Sequence, residues 1–286
     1  MRLRQFRRAA LAVSMMAPLL CAGCFDTLNS DSITTDSTTP DAPPATLDRN
    51  SITMIAEVVD RHPHSRDAFT QGLELHGDVL FESTGRVGES WIQSRAFPSG
   101  DVIAHADITD PYFGEGLTVV GDTVWHVTWK DGVAFARDRD SLEERFRVTY
   151  DGEGWGLCSY DDHEVLGAHV VMSDGTDVLT FRDPETFDVL DTVRVTLDGA
   201  PVVMLNELEC TPDGVYANVW MTEKIVRIDA DTGTVGDVID ASRLLTASER
   251  PGTDVLNGIA AIEGTDHFLV TGKLWPTMFE VKFVPR

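Results

Sequence analysis

The chain has 286 residues, of which 23 are Lys or Arg and 47 are Asp or Glu, for a formal net charge of −24 at pH 7. This acidic excess argues against a nucleic-acid partner, because neutralising phosphate groups requires clustered Lys and Arg. A chain of this length is expected to hold one large domain or two small ones.

The N-terminus has the order of a secretory signal. Four arginines within residues 2–8 precede an apolar run, and small residues then lead into Cys24. Because Ala22-Gly23-Cys24 is similar to the end of a bacterial lipobox, we predict that residues 1–23 are removed and that Cys24 is lipidated. Cleavage without lipidation is the alternative. A transmembrane anchor is disfavoured, since the apolar run is about half the roughly 20 residues that a spanning helix needs.

These features predict an exported protein, periplasmic or on the cell surface, whose only membrane contact is its lipid. Residues 24–50 are rich in Ser, Thr, Asp and Pro and hold almost no large apolar side chains. Such a segment cannot bury enough apolar surface to offset its ordering entropy, so we predict a disordered tether. The globular domain is then expected to span residues 51–286.

Two cysteines belong to the predicted domain, Cys158 and Cys210. A disulfide between them is allowed outside the cytoplasm. Two buried free thiols are an equal alternative at this point, because sequence alone does not give their separation in space.

A short pattern recurs five times in the domain: a polar or aromatic residue, then Gly or Glu, then Leu or Ile. Successive copies are 44, 40, 51 and 51 residues apart, and each is followed by a turn and a second apolar run. The second runs alternate in period two, which is typical of strands. About four strands in each copy predict an all-β fold, a five-bladed β-propeller. A β-helix or a β-sandwich is the structural alternative.

The ends of the domain suggest how a propeller would close. The last copy ends after its third strand, whereas residues 51–59 form an extra strand before the first copy. We predict that this N-terminal strand completes the last blade from the outside.

The first residues of the copies, called the heads below, should meet at one mouth of the propeller. The first strand of each blade lies nearest the axis, so its start faces the central channel. Together with the ends of the second strands, the heads supply an acid, amides, a lysine and indoles, which suits small-molecule recognition. The heads are Gln71, Glu115, Trp155, Asn206 and Asn257.

Nine segments, in order and covering nearly all of residues 58 to 284, carry a resemblance to a known family. They are FTQGL (69–73), YFGEGL (112–117), VTWK (127–130), GEGWGL (152–157), MSDG (172–175), LNELE (205–209), YANVW (216–220), LNGI (256–259) and VTGKLWP (270–276). This series resembles the plant-type and bacterial glutamine cyclotransferase family, a five-bladed propeller. That family is distinct from the animal-type zinc enzymes, and the scattered histidines predict no metal site here.

The resemblance implies cyclisation of an N-terminal Gln to pyroglutamate with release of ammonia. Glu115 matches the family's acidic residue and is the candidate proton shuttle; it could instead accept backbone N–H groups or bind an axial cation. Asn206 and Lys273 match polar pocket residues that could polarise the carboxamide, although Lys273 could simply pair with an acid. Gln71 could hold the substrate amide, or be a satisfied buried Gln.

Aromatic side chains are expected to wall the pocket, with packing between blades as the alternative. They are Phe69, Phe113, Trp129, Trp155 and Trp220. No cofactor is expected to be required, although the family sometimes carries a structural calcium near the axis. The implied partners are peptides or proteins with an N-terminal Gln, and the implied state is a monomer. The rival hypothesis is a non-catalytic surface propeller that binds a peptide or glycan at its mouth.

Overall fold

The computed structural model of the protein describes residues 42–163 and 165–286. The predictions for the signal segment 1–23, for Cys24 and for the tether up to residue 41 lie outside the described residues. Within the described ranges the chain forms strands and turns without a helix. Accordingly, no helix in that part of the chain is long and apolar enough to cross a membrane.

The strands follow one another at short intervals, as the alternating runs predict. In chain order they are β1 (Met54–Pro63), β2 (Thr70–His76), β3 (Val79–Thr84), β4 (Trp91–Ala96), β5 (Val102–Asp107), β6 (Gly114–Val120), β7 (Thr123–Thr128), β8 (Val133–Asp138), β9 (Glu144–Thr149), β10 (Leu157–Tyr160), β11 (His169–Ser173), β12 (Val178–Arg182), β13 (Val189–Arg194), β14 (Thr196–Leu197), β15 (Ala200–Pro201), β16 (Leu205–Thr211), β17 (Gly214–Val219), β18 (Lys224–Ile228), β19 (Val235–Asp240), β20 (Leu256–Ala261), β21 (His267–Gly272) and β22 (Thr277–Pro285).

Sequential strands pair into antiparallel sheets. The groups β2–β5, β6–β9 and β10–β13 each form a four-stranded sheet, and β14–β15 form a small hairpin. The other strands form an eight-stranded sheet in the order β16-β17-β18-β19-β1-β22-β21-β20. Repeated four-stranded sheets in an all-β chain are the architecture of a β-propeller. The predicted fold class is therefore confirmed at this level.

The first strand lies beside the last. β1 pairs antiparallel with β22 from Met54↔Pro285 to Pro63↔Thr277, and it pairs parallel with β19 only at Met54 and Ile55. The strand extends beyond the predicted end at residue 59, because β22 offers it a partner as far as Thr277.

The first strands of the five repeats contact one another in series. β2 contacts β6 and β20, β6 contacts β10, β10 contacts β16, and β16 contacts β20. Their approach is so close that a Cβ on Gly116 would lie 2.6 Å from the Leu157 nitrogen, and one on Gly156 would lie 2.2 Å from the Asn206 oxygen. Glycine is thus required where the pattern places it, since a side chain would separate these strands.

Apolar side chains fill the space between neighbouring sheets. Trp125 and Val127 of β7 pack with Leu157 of β10 and Val170 of β11 in one buried cluster. Because side chains alternate along a strand, each sheet presents one apolar face to each neighbour. The two domain cysteines are joined: Cys158 of β10 and Cys210 of β16 form a disulfide with their Cα atoms 5.3 Å apart.

The end of the predicted tether contacts the domain. Residues 42–50 contain no strand. Ala45 nevertheless donates its N–H to the Pro201 carbonyl at 2.8 Å, and Leu47 packs against a buried cluster that includes Val195 and Val202. The domain boundary at residue 51 stays a prediction.

Candidate active site

Four of the five heads lie at irregularities of the inner strands. The pairing register shifts at Gln71, next to Glu115, and next to Asn206 and Asn257, while the flanking residues stay paired. A β-bulge re-aims the side chain at the extra residue and often lies beside a functional site. The fifth head, Trp155, precedes β10 and belongs to the loop before it.

Glu115 is the buried acid of the site. Its exposed fraction is 6%, and Gln71 Nε2 donates a hydrogen bond to Glu115 Oε1 at 3.2 Å. Burial raises the pKa of Glu115 well above its ordinary value, the positive charge of Lys273 opposes this rise, and Glu153 adds to it. The Gln71 amide thus positions the acid.

Lys273 places the complementary charge close to Glu115. Its exposed fraction is 5%, and its Nζ lies 4.8 Å from the centre of the Phe69 ring. Burial lowers the pKa of Lys273, while the charges of Glu115 and Asp254 raise it. A buried acid and a buried lysine therefore stabilise each other's charged forms beside an aromatic wall.

The predicted aromatic residues form two groups of contacts. Phe69 meets Phe113 edge-on with ring centres 6.5 Å apart, and Phe113 lies 5.5 Å from Trp129. Trp155 and Trp220 form a second edge-on pair at 5.6 Å. All five side chains are only partly buried, which fits residues that line an opening better than residues of a closed core.

Glu153 connects the two groups, although no sequence pattern singles it out. One carboxylate oxygen, Oε2, accepts hydrogen bonds from Trp129 Nε1 at 2.8 Å and from Trp155 Nε1 at 3.0 Å. The other, Oε1, lies 3.6 Å from Lys130 Nζ. Glu153 is part of the GEGWGL segment, but an acid in a Gly-rich turn usually faces solvent, so its pattern alone did not mark it.

Two asparagines complete the polar part of the site. Asn257 Nδ2 donates to the Thr70 carbonyl at 3.1 Å and lies 3.4 Å from Gln71 Oε1, so it helps to fix the Gln71 amide. Asn206 is 3% exposed, and its Oδ1 has no hydrogen-bond partner among the described residues. Buried polar atoms are normally paired, so this oxygen and the equally unpaired Oδ1 of Asn257 leave unmet hydrogen bonds at the heads.

A large cavity of about 1210 Å³ lies at the opposite ends of the inner strands. Its walls include Glu74, Tyr160, Glu209 and Thr211, and burial raises the pKa of Glu74 to about 7. Because its described lining contains neither Lys273 nor the predicted amides and indoles, we place the candidate site at the heads. A group of potential metal ligands, Asp60, His62 and Glu280, lies on β1 and β22 rather than in either region.

Glu115 lies on the inner strand β6 of a four-stranded sheet, and Lys273 follows β21. Repeated four-stranded sheets with this buried acid and lysine beside aromatic side chains define a β-propeller with a polar pocket at its heads. The sequence matches the Glutamine cyclotransferase family over residues 30–283. The chain belongs to this family.

Two relatives are similar to most of the chain. The chain is 39% identical over 231 residues to an Arabidopsis thaliana protein named glutaminyl-peptide cyclotransferase, covering 79% of this chain and 70% of that one. The crystal structure of Myxococcus xanthus glutaminyl cyclase is similar with a TM-score of 0.72 and 36% identity, over 82% of this chain and 99% of that one.

Proposed function

We propose that the protein is a glutaminyl-peptide cyclotransferase, which converts an N-terminal Gln into pyroglutamate and releases ammonia. Family membership and the names of the two relatives support this function. The observation that carries it is the buried Glu115, held by Gln71 next to Lys273 and the aromatic walls.

The reaction needs proton transfers more than it needs assembly of reactants. The α-amine and the carboxamide belong to one residue, so little is gained from bringing separate molecules together. The amine nitrogen forms a bond to the δ-carbon, and the bond from that carbon to the carboxamide nitrogen breaks. Glu115 takes a proton from the attacking nitrogen and gives it to the departing one. A raised pKa suits this shuttle, because it makes the carboxylate a stronger base towards the attacking nitrogen.

The remaining polar residues would bind the reacting amide. Lys273 stabilises the negative charge that develops on the carboxamide oxygen, which is most effective in a site shielded from water. Asn206 offers its unpaired Oδ1 to an N–H of the substrate. The aromatic side chains enclose the Gln side chain and exclude water. Neither zinc nor another cofactor takes part in this scheme.

We further infer five blades and a closed ring. The eight-stranded sheet would be two blades joined at the short parallel contact between β1 and β19, with β1 as the outer strand of the last blade. The long ladder between β1 and β22 and the serial contacts of the inner strands support this arrangement. In this proposal the protein is an exported monomer, anchored by a lipid on Cys24 through the tether.

Ammonia release by the purified full-length protein tests the function. Unblocked peptides that begin with Gln should be turned over, N-acetylated ones should not, and zinc chelators should leave the rate unchanged. Glu115→Gln should lower kcat by about 10²- to 10⁴-fold, the usual contribution of general acid–base catalysis. Its folded structure should persist, since Gln is close to Glu in size and carries no charge in a buried position. Inactivity of the wild-type protein on a broad peptide panel would instead favour the non-catalytic binding function.

A further inference from the structure

Three metal-ligating side chains meet where the first strand pairs with the last. Asp60 and His62 of β1 and Glu280 of β22 have ligand atoms that all lie within 4.8 Å of one another. Asp60 lies opposite Glu280 in the β1–β22 ladder, and residues two apart in a strand face the same side. A register shift between Val58 and Asp60 sets which residues of β1 take this face. The grouping therefore follows from the pairing of strands distant in sequence.

His62 offers its Nε2 atom as a metal ligand. Its Nε2 is buried and has no hydrogen-bond partner in the described part of the chain. The nearest acid oxygen, Glu280 Oε2, is 3.6 Å away, and the ring packs edge-on to Phe97 with centres 5.0 Å apart. An unpaired buried imidazole nitrogen is costly, and a bound metal ion would satisfy it.

The surrounding charges orient Glu280 towards this nitrogen. His267 of β21 contacts Glu280 Oε1 through its Nδ1, which leaves Oε2 facing His62. The neighbouring cation, Lys282, is engaged by Asp266 at 3.0 Å. Outer partners of this kind fix the carboxylates that ligate metals.

We propose that Asp60, His62 and Glu280 bind a zinc-class transition-metal ion that fastens the N-terminal strand to the C-terminal strand. An imidazole with two carboxylates favours such ions over calcium or magnesium, which prefer oxygen ligands alone. Zinc bonds to nitrogen and oxygen of about 2.0–2.2 Å require the three groups to move closer. The Asp60 side chain is exposed; its Oδ1 accepts the Arg61 N–H at 2.8 Å, and its Oδ2 accepts no hydrogen bond from the described residues and can turn towards the ion. Water would complete the coordination.

The site has a structural consequence that is separate from the pocket. Its ligands come from both ends of the domain, so it exists only when β1 is paired with β22. An ion that binds the folded chain and not the unfolded one raises stability by mass action. The scattered histidines predict no metal site from sequence, and residues 62 and 280 are too far apart in the chain for any spacing rule to relate them.

Zinc titration of the metal-free full-length protein tests the proposal. Calorimetry should show one equivalent bound, and free zinc at 100 times its Kd should raise the melting temperature by about 5 °C or more. His62→Asn and Glu280→Gln should each weaken binding at least tenfold and remove the thermal shift. His105→Asn is the matched control, because His105 and Asp107 form a similar pair at 3.1 Å on β5, and no third ligand joins them from the described residues.

Absence of binding to the wild-type protein, or equal binding by the His62 and Glu280 variants, would overturn the site. Binding without a thermal shift would overturn its role as a fastener. The titration on the wild-type protein does not depend on how the variants fold. It also uses no peptide, so its failure would leave the proposed cyclotransferase activity untouched.

Discussion

At the scale of single residues, burial and the charge of Lys273 have opposite effects on the pKa of Glu115. Burial keeps its proton on, and Lys273 favours its release. If Glu115 must be ionised to accept the proton of the substrate amine, kcat/KM rises as the pH climbs through its pKa. Lys273→Met removes the favourable charge, so the acid limb of the kcat/KM profile should move to higher pH, in addition to any loss of rate.

Lys224→Met is the control for this prediction, because Lys224 pairs with Asp240 at 2.7 Å on β18 and β19, outside the pocket. Its acid limb should coincide with that of the wild-type enzyme. An unmoved limb in the Lys273 variant would show that the two charges do not interact as their burial implies.

Glu153 acts on the site in two separable ways, through its charge and through its hydrogen bonds. Glu153→Gln can keep an oxygen between the Trp129 and Trp155 indoles while it removes the charge that raises the pKa of Glu115. We expect its acid limb to move to lower pH with KM little changed. Glu153→Ala should also release the indoles and raise KM by roughly tenfold, a modest value because the side chain is 39% exposed.

Glu223→Gln is a matched control, since Glu223 is 40% exposed and pairs with Arg250 at 2.9 Å, as a surface acid does. Its pH profile and KM should equal those of the wild-type enzyme. A Glu153→Ala variant with normal KM would mean that the indoles need no fixed partner.

The repeat pattern predicted the polar heads, but not the contacts among them. Gln71, Glu115 and Asn206 each occupy the head position of their own copy, so their convergence follows from the fold class. Glu153 and Asn257 act through bonds to residues of other sheets, and no local pattern encodes such pairs. The repeat pattern also did not predict the register shifts that orient the heads, although the Gly that follows most heads is a signal of a β-bulge.

At the scale of elements, the inner strands need glycine at the position after the head, with one exception. The β16 strand has Glu207 there, and its carboxylate accepts N–H groups from Leu73 of β2 at 3.2 Å and from Ile259 of β20 at 2.8 Å. Burial raises the pKa of Glu207 well above its ordinary value, and the nearby Glu209 adds to the rise. This acid therefore links three inner strands.

Replacement of Glu207 should lower the free energy of unfolding through the loss of its hydrogen bonds, by an amount that changes with pH. Glu207→Gln leaves one N–H without an acceptor and should cost about 1–3 kcal/mol at pH 5, while Glu207→Ala leaves two and should cost roughly twice as much. A raised folded-state pKa means that the wild-type contribution is present at low pH and is lost as pH rises through that pKa. Denaturant unfolding should thus show a smaller gap between wild type and Glu207→Gln at pH 8 than at pH 5; a gap that widens would contradict this assignment.

The elements themselves follow closely from the alternating runs, and the exceptions have physical causes. The hairpin β14–β15 was not predicted, because strands of two residues give no periodic signal; it lies between the third and fourth heads, whose spacing is 51 rather than 40 residues. The longer course of β1 depends on its partner β22, a pairing that residues 51–63 alone do not encode.

At the scale of the whole molecule, the disulfide ties neighbouring parts of the repeat together. Cys158 lies in β10 and Cys210 in β16, the inner strands of consecutive repeats, with a sequence separation of 52. The alternative of free thiols was open from the sequence, because only the contact of these two strands brings the sulfurs together. The bond limits how far the third and fourth repeats can separate in the unfolded chain.

Loss of this bond should lower stability without affecting catalysis. Closing a loop of 52 residues is expected to stabilise the folded state by about 4 kcal/mol, chiefly by restricting the unfolded chain. A Cys158→Ala/Cys210→Ala double variant should therefore unfold at lower denaturant concentration than the oxidised wild type and should not respond to dithiothreitol. The kcat on a Gln-peptide should be unchanged. Both cysteines line the large cavity at the ends of the inner strands that lie opposite the heads, away from Glu115. Equal unfolding midpoints for oxidised and reduced wild-type protein would show that the unfolded chain is already restricted by other contacts between the two repeats.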